Sequence, residues 1–275
     1  MNTKNITFIG AGNMARSLIS GLLADGYDAK NIYASDPDVA QLNNLQVHHA
    51  ININPDNNEA ISNSDIIVLA VKPQMLRSVC QQIAASTQQR CPLVISIAAG
   101  IRATDIERWL GGKLPIVRVM PNTPALLQCG ASGLYANERV SDEQKDIAES
   151  ILRAVGITLW VEQEALMDTV TALSGSGPAY FFLLMETLQE SATQLGLAPQ
   201  AARMLTLQTA LGAAKMAMES EDDAATLRRR VTSPGGTTER AICVLEENDI
   251  RQHIHLALQA AKRRSHELAE QFGAE

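Results

Sequence analysis

The 275-residue sequence is poor in aromatic side chains. Phe, Trp and Tyr make up 4% of it, so the interior must be filled by Ala, Leu, Ile and Val. Positive charge is also scarce: 23 Lys and Arg stand against 30 Asp and Glu, a formal net charge of -7. A chain that mostly repels phosphate is a poor candidate for a nucleic-acid partner. The two basic runs, at 228–230 and 262–264, have acidic neighbours and read as solvated helix faces. Cys80, Cys91, Cys129 and Cys243 show no C-x-x-C spacing, which speaks against a metal cluster or a disulfide framework and fits a reducing compartment. No apolar run reaches the ~18 residues that would span a bilayer, and the apolar stretch at 6–9 is too short for a signal peptide. These absences point to a cytoplasmic protein with no membrane partner.

What is present is a rhythm. Short β-branched runs at 6–9, 32–34, 65–71, 93–97, 115–120 and 156–160 alternate with amphipathic stretches, and the run at 93–97 is apolar on both faces. Strands of that kind belong to parallel sheets covered by helices. Residues 1–161 therefore predict a Rossmann-type, doubly wound α/β domain that binds a dinucleotide. Residues 162–275 predict an all-α domain for dimerisation and substrate, with helices at 179–195, 199–218 and 250–272 and breaks at 196–199 and 233–236. The stretch 210–218 is apolar enough to be buried all round.

The first strand runs into G-x-G-x-x-A, formed by Gly10, Ala11, Gly12, Asn13, Met14 and Ala15. Gly10 permits the tight turn, Gly12 lets backbone approach a pyrophosphate, Ala15 lets the helix pack close, and the helix N-terminus faces the diphosphate. At the end of the second strand Ser35 is neutral and Asp36 comes one residue late, with no Arg nearby to clamp a 2'-phosphate. NADPH is the expected cofactor, and NADH stays open. Two more loops fall at carboxyl ends of strands: Ala70-Val71-Lys72-Pro73-Gln74 and Ser96-Ile97-Ala98-Ala99-Gly100-Ile101. Lys72 either adds positive charge near the nicotinamide nucleotide or is a surface lysine at a helix start. Further on, Ser233-Pro234-Gly235-Gly236-Thr237-Thr238 reads either as a backbone nest for a small carboxylate or as an ordinary helix start.

With M-P-N-T-P at 120–124 and L-S-G-S-G-P-A-Y at 173–180 added, these motifs resemble the pyrroline-5-carboxylate reductase family over almost the whole chain. The resemblance implies NAD(P)H-dependent reduction of 1-pyrroline-5-carboxylate to L-proline, the last step of proline biosynthesis. It also implies a homodimer, or a larger homo-oligomer built from dimers, whose helical domains intertwine. The active site would then lie between one subunit's nucleotide site and helices that include the partner's. By the same resemblance Thr238 is catalytic and hydrogen-bonds the substrate ring nitrogen. Glu164, Ser233, Gly236, Thr237 and Thr238 bind the substrate, its carboxylate on backbone around Thr237 and Thr238, and Glu164 lies near cofactor and substrate. Ser35, Asn58, Ala70, Val71, Lys72, Pro73, Ala98 and Ala99 match cofactor-contacting positions.

The residues themselves show no Ser-His-Asp order, and His48-His49 and His253-x-His255 cannot converge from one helix. An imine protonates more readily than a ketone, so positioning can carry most of the rate. A β-hydroxyacid dehydrogenase is the nearest alternative. Lys215 resembles its catalytic lysine, but Glu219 stands where that family has Asn. A regulator that binds nucleotide without turnover is a second alternative.

Overall fold

The computed structural model describes residues 4–274. Among these, eight strands form one sheet: β1 (Ile6–Ile9), β2 (Ile32–Ser35), β3 (Asn52–Ile53), β4 (Ile66–Leu69), β5 (Leu93–Ser96), β6 (Ile116–Met120), β7 (Gly130–Ala136) and β8 (Gly156–Trp160), in the order β3-β2-β1-β4-β5-β6-β7-β8. Its helices are α1 (Asn13–Ala24), α2 (Val39–His49), α3 (Asn57–Ile61), α4 (Pro73–Arg90), α5 (Ala103–Trp109), α6 (Asp142–Arg153) and α7 (Leu166–Val170).

Alternation along the strands builds two cores. Ile6, Phe8, Ile66, Val68, Leu93 and Ile95 face α1, α2 and α6, where Leu18, Leu45 and Ile151 meet them. Ile9, Ile67, Leu69, Val94 and Ile116 face α3, α4 and α5, where Ile61, Leu76, Ile83 and Ile106 meet them. Each fully buried Ile, Leu or Phe contributes about 1.5–3 kcal/mol, so the sheet is the stability centre of this unit. A strand with both faces covered can only be joined to a parallel neighbour by a crossover, and α1 and α4 are such crossovers.

The expected parallel sheet holds from β1 to β6. Beyond it β7 runs antiparallel to β6, and β8 parallel to β7. Neither β3 nor β7 is foreseen in the sequence. The sequence of β7, GASGLYA, lacks strand character for a steric reason. A Cβ on Gly133 would stand 2.5 Å from Cγ1 of Val170, and one on Gly130 would stand 2.8 Å from the Val155 carbonyl oxygen. Gly156, with φ +152°, faces the Gly130 backbone at a distance that leaves no room for a side chain.

Residues up to Ser176, together with those from Ala260 on, form one compact unit, and Gly177–Gln259 form another. The strands end at Trp160, beside the division read at 161, but packing carries the sheet unit further. Ser265 donates to the buried Asp168 at 2.7 Å, Arg108 Nη2 donates to the Gly273 carbonyl at 2.6 Å, and Leu268 backs Gly100. These three residues lie on α12 (Ile250–Ala274), which follows α8 (Gly177–Gln194), α9 (Pro199–Glu219), α10 (Ala224–Arg230) and α11 (Thr237–Glu247).

Pro199 opens α9 at a position where its missing N–H costs nothing, as the sequence predicts. Burial differs from expectation. The segment 210–218 is not enclosed in the single chain: Leu211 and Met216 are exposed, and Met218 is 81% exposed. On α8, Phe181, Phe182, Leu183 and Leu184 are also exposed. An apolar face this long needs a cover, and one chain does not provide it.

Candidate active site

In a parallel sheet the carboxyl ends of neighbouring strands deliver their loops side by side. Here Ile9 pairs in register with Ser35 and with Leu69, and Leu69 pairs with Ser96. One sheet edge therefore presents the Gly10–Gly12 turn, the Ser35–Asp36 end, the loop at 70–73 and the loop at 98–99. That is the edge where open α/β sheets bind ligands.

Gly10 has φ +103°, and a Cβ there would lie 2.6 Å from the Ala70 carbonyl oxygen, so only glycine lets β1 turn this close to β4. Its N–H donates to the Ser35 carbonyl at 2.7 Å. A Cβ on Gly12 would meet nothing within 4 Å, leaving the space above the turn open. Gly12 is also the N-cap of α1 and brings no side-chain oxygen to the helix start. The first N–H groups of α1, from Asn13 onward, are thus presented to a ligand rather than capped, which fits a diphosphate. Ala15 is buried against the sheet, as close helix packing requires.

Both carboxylate oxygens of Asp36 are engaged by backbone. Its Oδ2 accepts the Ala11 N–H at 2.8 Å and its Oδ1 accepts the Asp38 N–H at 2.9 Å, so the carboxylate is tied beneath the glycine turn. Ser35 is fully buried and its hydroxyl donates to Asn57 Oδ1 at 2.8 Å. Asn58 accepts from Ser86 at 2.8 Å, joining α3 to α4. Lys72 is exposed at the N-cap of α4, with Pro73 as the first helical residue and Val71 half-buried before it. Ala98 is buried and Ala99 half-buried in the loop that leads to α5.

Glu164 sits between α5 and β6. Its Oε1 accepts the Ala103 N–H at 2.7 Å and lies 3.2 Å from Nη1 of Arg118, a side chain in the middle of β6. Tyr135, opposite Arg118 on β7, has its phenol pKa raised by burial and, next, by the charges of Glu164 and Glu138. Close by, Asn122 ties two of the sequence motifs together: its Nδ2 donates to the Ser174 carbonyl at 3.1 Å and its Oδ1 accepts the Ala131 N–H at 2.9 Å. Residues Thr171–Gly175 form a π-helical turn closed by the Ser176 N–H on the Thr171 carbonyl at 2.9 Å, a geometry often found at functional sites.

In the helical unit, Thr237 and Thr238 are exposed and open α11, whose N-cap Gly236 contributes no side-chain bond. The nest expected here is narrower than the sequence suggests. The Gly235 N–H is taken by Glu239 Oε2 at 2.7 Å, and the Gly236 N–H by the exposed Ser233's carbonyl at 3.0 Å. What remains at this helix start is the Thr237 and Thr238 backbone with two hydroxyls. A separate cleft of about 300 Å³ lies at the opposite edge of the sheet, lined by Lys4, Asp65 and Glu143 among others, and no expected site residue borders it. Among the described residues no group of three or more His, Cys, Asp or Glu side chains is placed to hold a metal ion.

Two family models match the chain: one described as pyrroline-5-carboxylate reductase dimerisation, over residues 164–268, and one described as NADP oxidoreductase, coenzyme F420-dependent, over residues 5–100. A pyrroline-5-carboxylate reductase of Pseudomonas aeruginosa is 54% identical over 273 residues, which is 99% of this chain and 100% of that protein. The chain belongs to the pyrroline-5-carboxylate reductase family. Among solved structures, a pyrroline-5-carboxylate reductase from Coxiella burnetii is similar with a TM-score of 0.94 and 49% identity, covering 97% of this chain and 99% of that one. The Plasmodium falciparum pyrroline carboxylate reductase with NADP bound is similar with a TM-score of 0.86 and 30% identity, covering 98% and 99%. For a pyrroline-5-carboxylate reductase, sequence reading passes over Arg118, and it leaves unread what two residues it does name are doing: the Asp36 carboxylate accepts the Ala11 N–H of the glycine turn, and Asn122 joins two motifs. Arg118 did leave a signal: it is a lone cation in the apolar run IVRVM.

Proposed function

We propose that this protein reduces 1-pyrroline-5-carboxylate to L-proline with NADPH as hydride donor, NADH being the alternative donor. The observation that carries the reading is the alignment, at one sheet edge, of the glycine turn with the loops at 70–73 and 98–99, in a chain whose relatives are reductases of this imine. The bound dihydronicotinamide supplies a hydride to the C=N carbon while the nitrogen gains a proton, giving the secondary amine of proline.

The chain's own residues bind and orient. In this reading the backbone from Gly10 to Ala15 receives the diphosphate, and Lys72 adds positive charge beside it. Ser35 and Asn58 shape the adenosine end through the β2–α3–α4 contacts. Ala98 and Ala99 allow backbone to line the nicotinamide. Thr237 and Thr238 backbone, with Ser233 and Gly236, takes the substrate carboxylate, and Thr238 Oγ1 holds the hydrogen bond to the ring nitrogen. Glu164 belongs to the substrate end of the cofactor loops. The exposed apolar face of α8 and α9 supports a homodimer, alone or as the building block of a larger assembly. A cytoplasmic setting is supported by the four free thiols, and no helix of the described residues is long and apolar enough to cross a membrane.

The test is Thr238→Ala assayed by NADPH oxidation with pyrroline-5-carboxylate, proline being identified as product. We expect kcat to fall by about a hundredfold while NADPH affinity changes by less than about threefold, the pattern of a group that acts on the reacting atoms. Wild-type turnover in Thr238→Ala would remove that assignment. Folded wild-type protein that binds NADPH and reduces no imine would remove the activity.

A further inference from the structure

Among the described residues Arg118 is the only Lys or Arg that is buried, at 4% exposure. A cation withdrawn from water in this way needs a partner, and Glu164 is that partner, at 3.2 Å. The same carboxylate oxygen that faces Arg118 also accepts the Ala103 N–H, at 2.7 Å. Ala103 is the first residue of α5, and Arg102, its N-cap, supplies no side-chain bond. Glu164 thus caps α5 from 61 positions away in the chain. Its own backbone is fixed too, because its carbonyl accepts the Met167 N–H at 2.9 Å at the start of α7.

The loop at 98–102 lies between the end of β5 and this cap. Ala98 and Ile101 anchor it in the core, and α12 backs it through Leu268 against Gly100 and Glu270 3.9 Å from Arg102. We propose that Glu164 is a positioning residue. Held by Arg118, its carboxylate fixes the Ala103 N–H, and with it the height at which Ala98 and Ala99 present their backbone to the nicotinamide. The inference rests on the cofactor reading given above. The role it gives Glu164 needs no contact with the imine. A loop raised or lowered by a fraction of an ångström would leave both molecules bound and misplace the hydride, so the effect belongs in kcat.

Three variants test it. Glu164→Ala removes the cap and the countercharge; we expect kcat to fall about tenfold, with the KM for the imine within about twofold and a larger primary isotope effect from 4-deuterated NADPH. Glu164→Gln keeps an oxygen for the Ala103 N–H, so it should recover most of the rate while melting lower than wild type, since Arg118 has lost its countercharge. Should Glu164→Ala fail to fold, Ala103→Pro removes the same N–H at a helix position that tolerates proline, after a residue already extended (φ -79°, ψ 149°), and should lower kcat alike. A raised imine KM with unchanged kcat in Glu164→Ala, or Glu164→Gln as slow as Glu164→Ala, would overturn the proposal. Ala99→Val separates the two readings: unchanged NADPH affinity would remove the loop from the cofactor, and the inference with it. Weakened affinity in Ala99→Val alongside wild-type kcat in both Glu164→Ala and Ala103→Pro would overturn the inference alone.

Discussion

At the residue scale, Gly10 and Cys80 give opposite kinds of prediction. In Gly10→Ala the new carbon meets the Ala70 carbonyl and the backbone sits in the left-handed region. Strain of roughly 1–3 kcal/mol should lower the melting temperature by about 3–10 °C. Fluorescence titration should show NADPH affinity reduced by more than about tenfold. Cys80 is silent chemistry. Burial pushes its thiol up to about 12, so near pH 8 on the order of one molecule in ten thousand carries the thiolate. Mass spectrometry after maleimide treatment should find the exposed Cys91 and Cys129 labelled and Cys80 labelled only on unfolding. Rapid labelling of Cys80 in the native protein would contradict its burial.

At the scale of elements, β7 and β8 meet where the Gly130 backbone leaves no room for a side chain on Gly156. Gly156→Ala should destabilise the protein by about 3 kcal/mol or more, read as a lower urea midpoint, because φ +152° and the Gly130 backbone both refuse a side chain. This crowding also explains what could be read in advance. β1, β4 and β5 announce themselves because burial on both faces demands Ile, Val and Leu, and the start of α9 because proline suits only a first turn. β7 hides because its constraint is space rather than apolarity, and space selects Gly, Ala and Ser, which a reader takes for loop. The site divides in the same way. The glycine turn is legible because backbone conformation is written in residue type. The Glu164–Ala103 bond is not, since a carboxylate meeting an N–H 61 positions away leaves no local pattern. Asp36 is half legible for a related reason: the sequence shows that it comes one residue late at the end of β2, but not that the Ala11 N–H claims it.

At the scale of the molecule, the uncovered apolar face of α8 lies within the segment matched by the family's dimerisation model. Replacing Phe182 and Leu184, both exposed in the single chain, with Asp should shift the protein from oligomer toward monomer in light scattering, with activity falling in parallel if the reaction needs the assembly. Retained oligomers would place the interface elsewhere. The sheet unit makes a further demand, because α12 returns to it: Ser265 binds Asp168, Leu268 backs Gly100, and Arg108 grips the Gly273 carbonyl. A chain ended after Ser176 should therefore bind NADPH at least about tenfold more weakly than the full protein, with the 98–102 loop losing its backing. The order of synthesis follows from the same return. The ribosome delivers β1 early and the residues from Ala260 on only after the entire helical unit, so the nucleotide-binding half must wait, incomplete, with part of its surface bare. A nascent chain should accordingly reach full cofactor affinity only late, after its last helix emerges, rather than when its glycine turn first does.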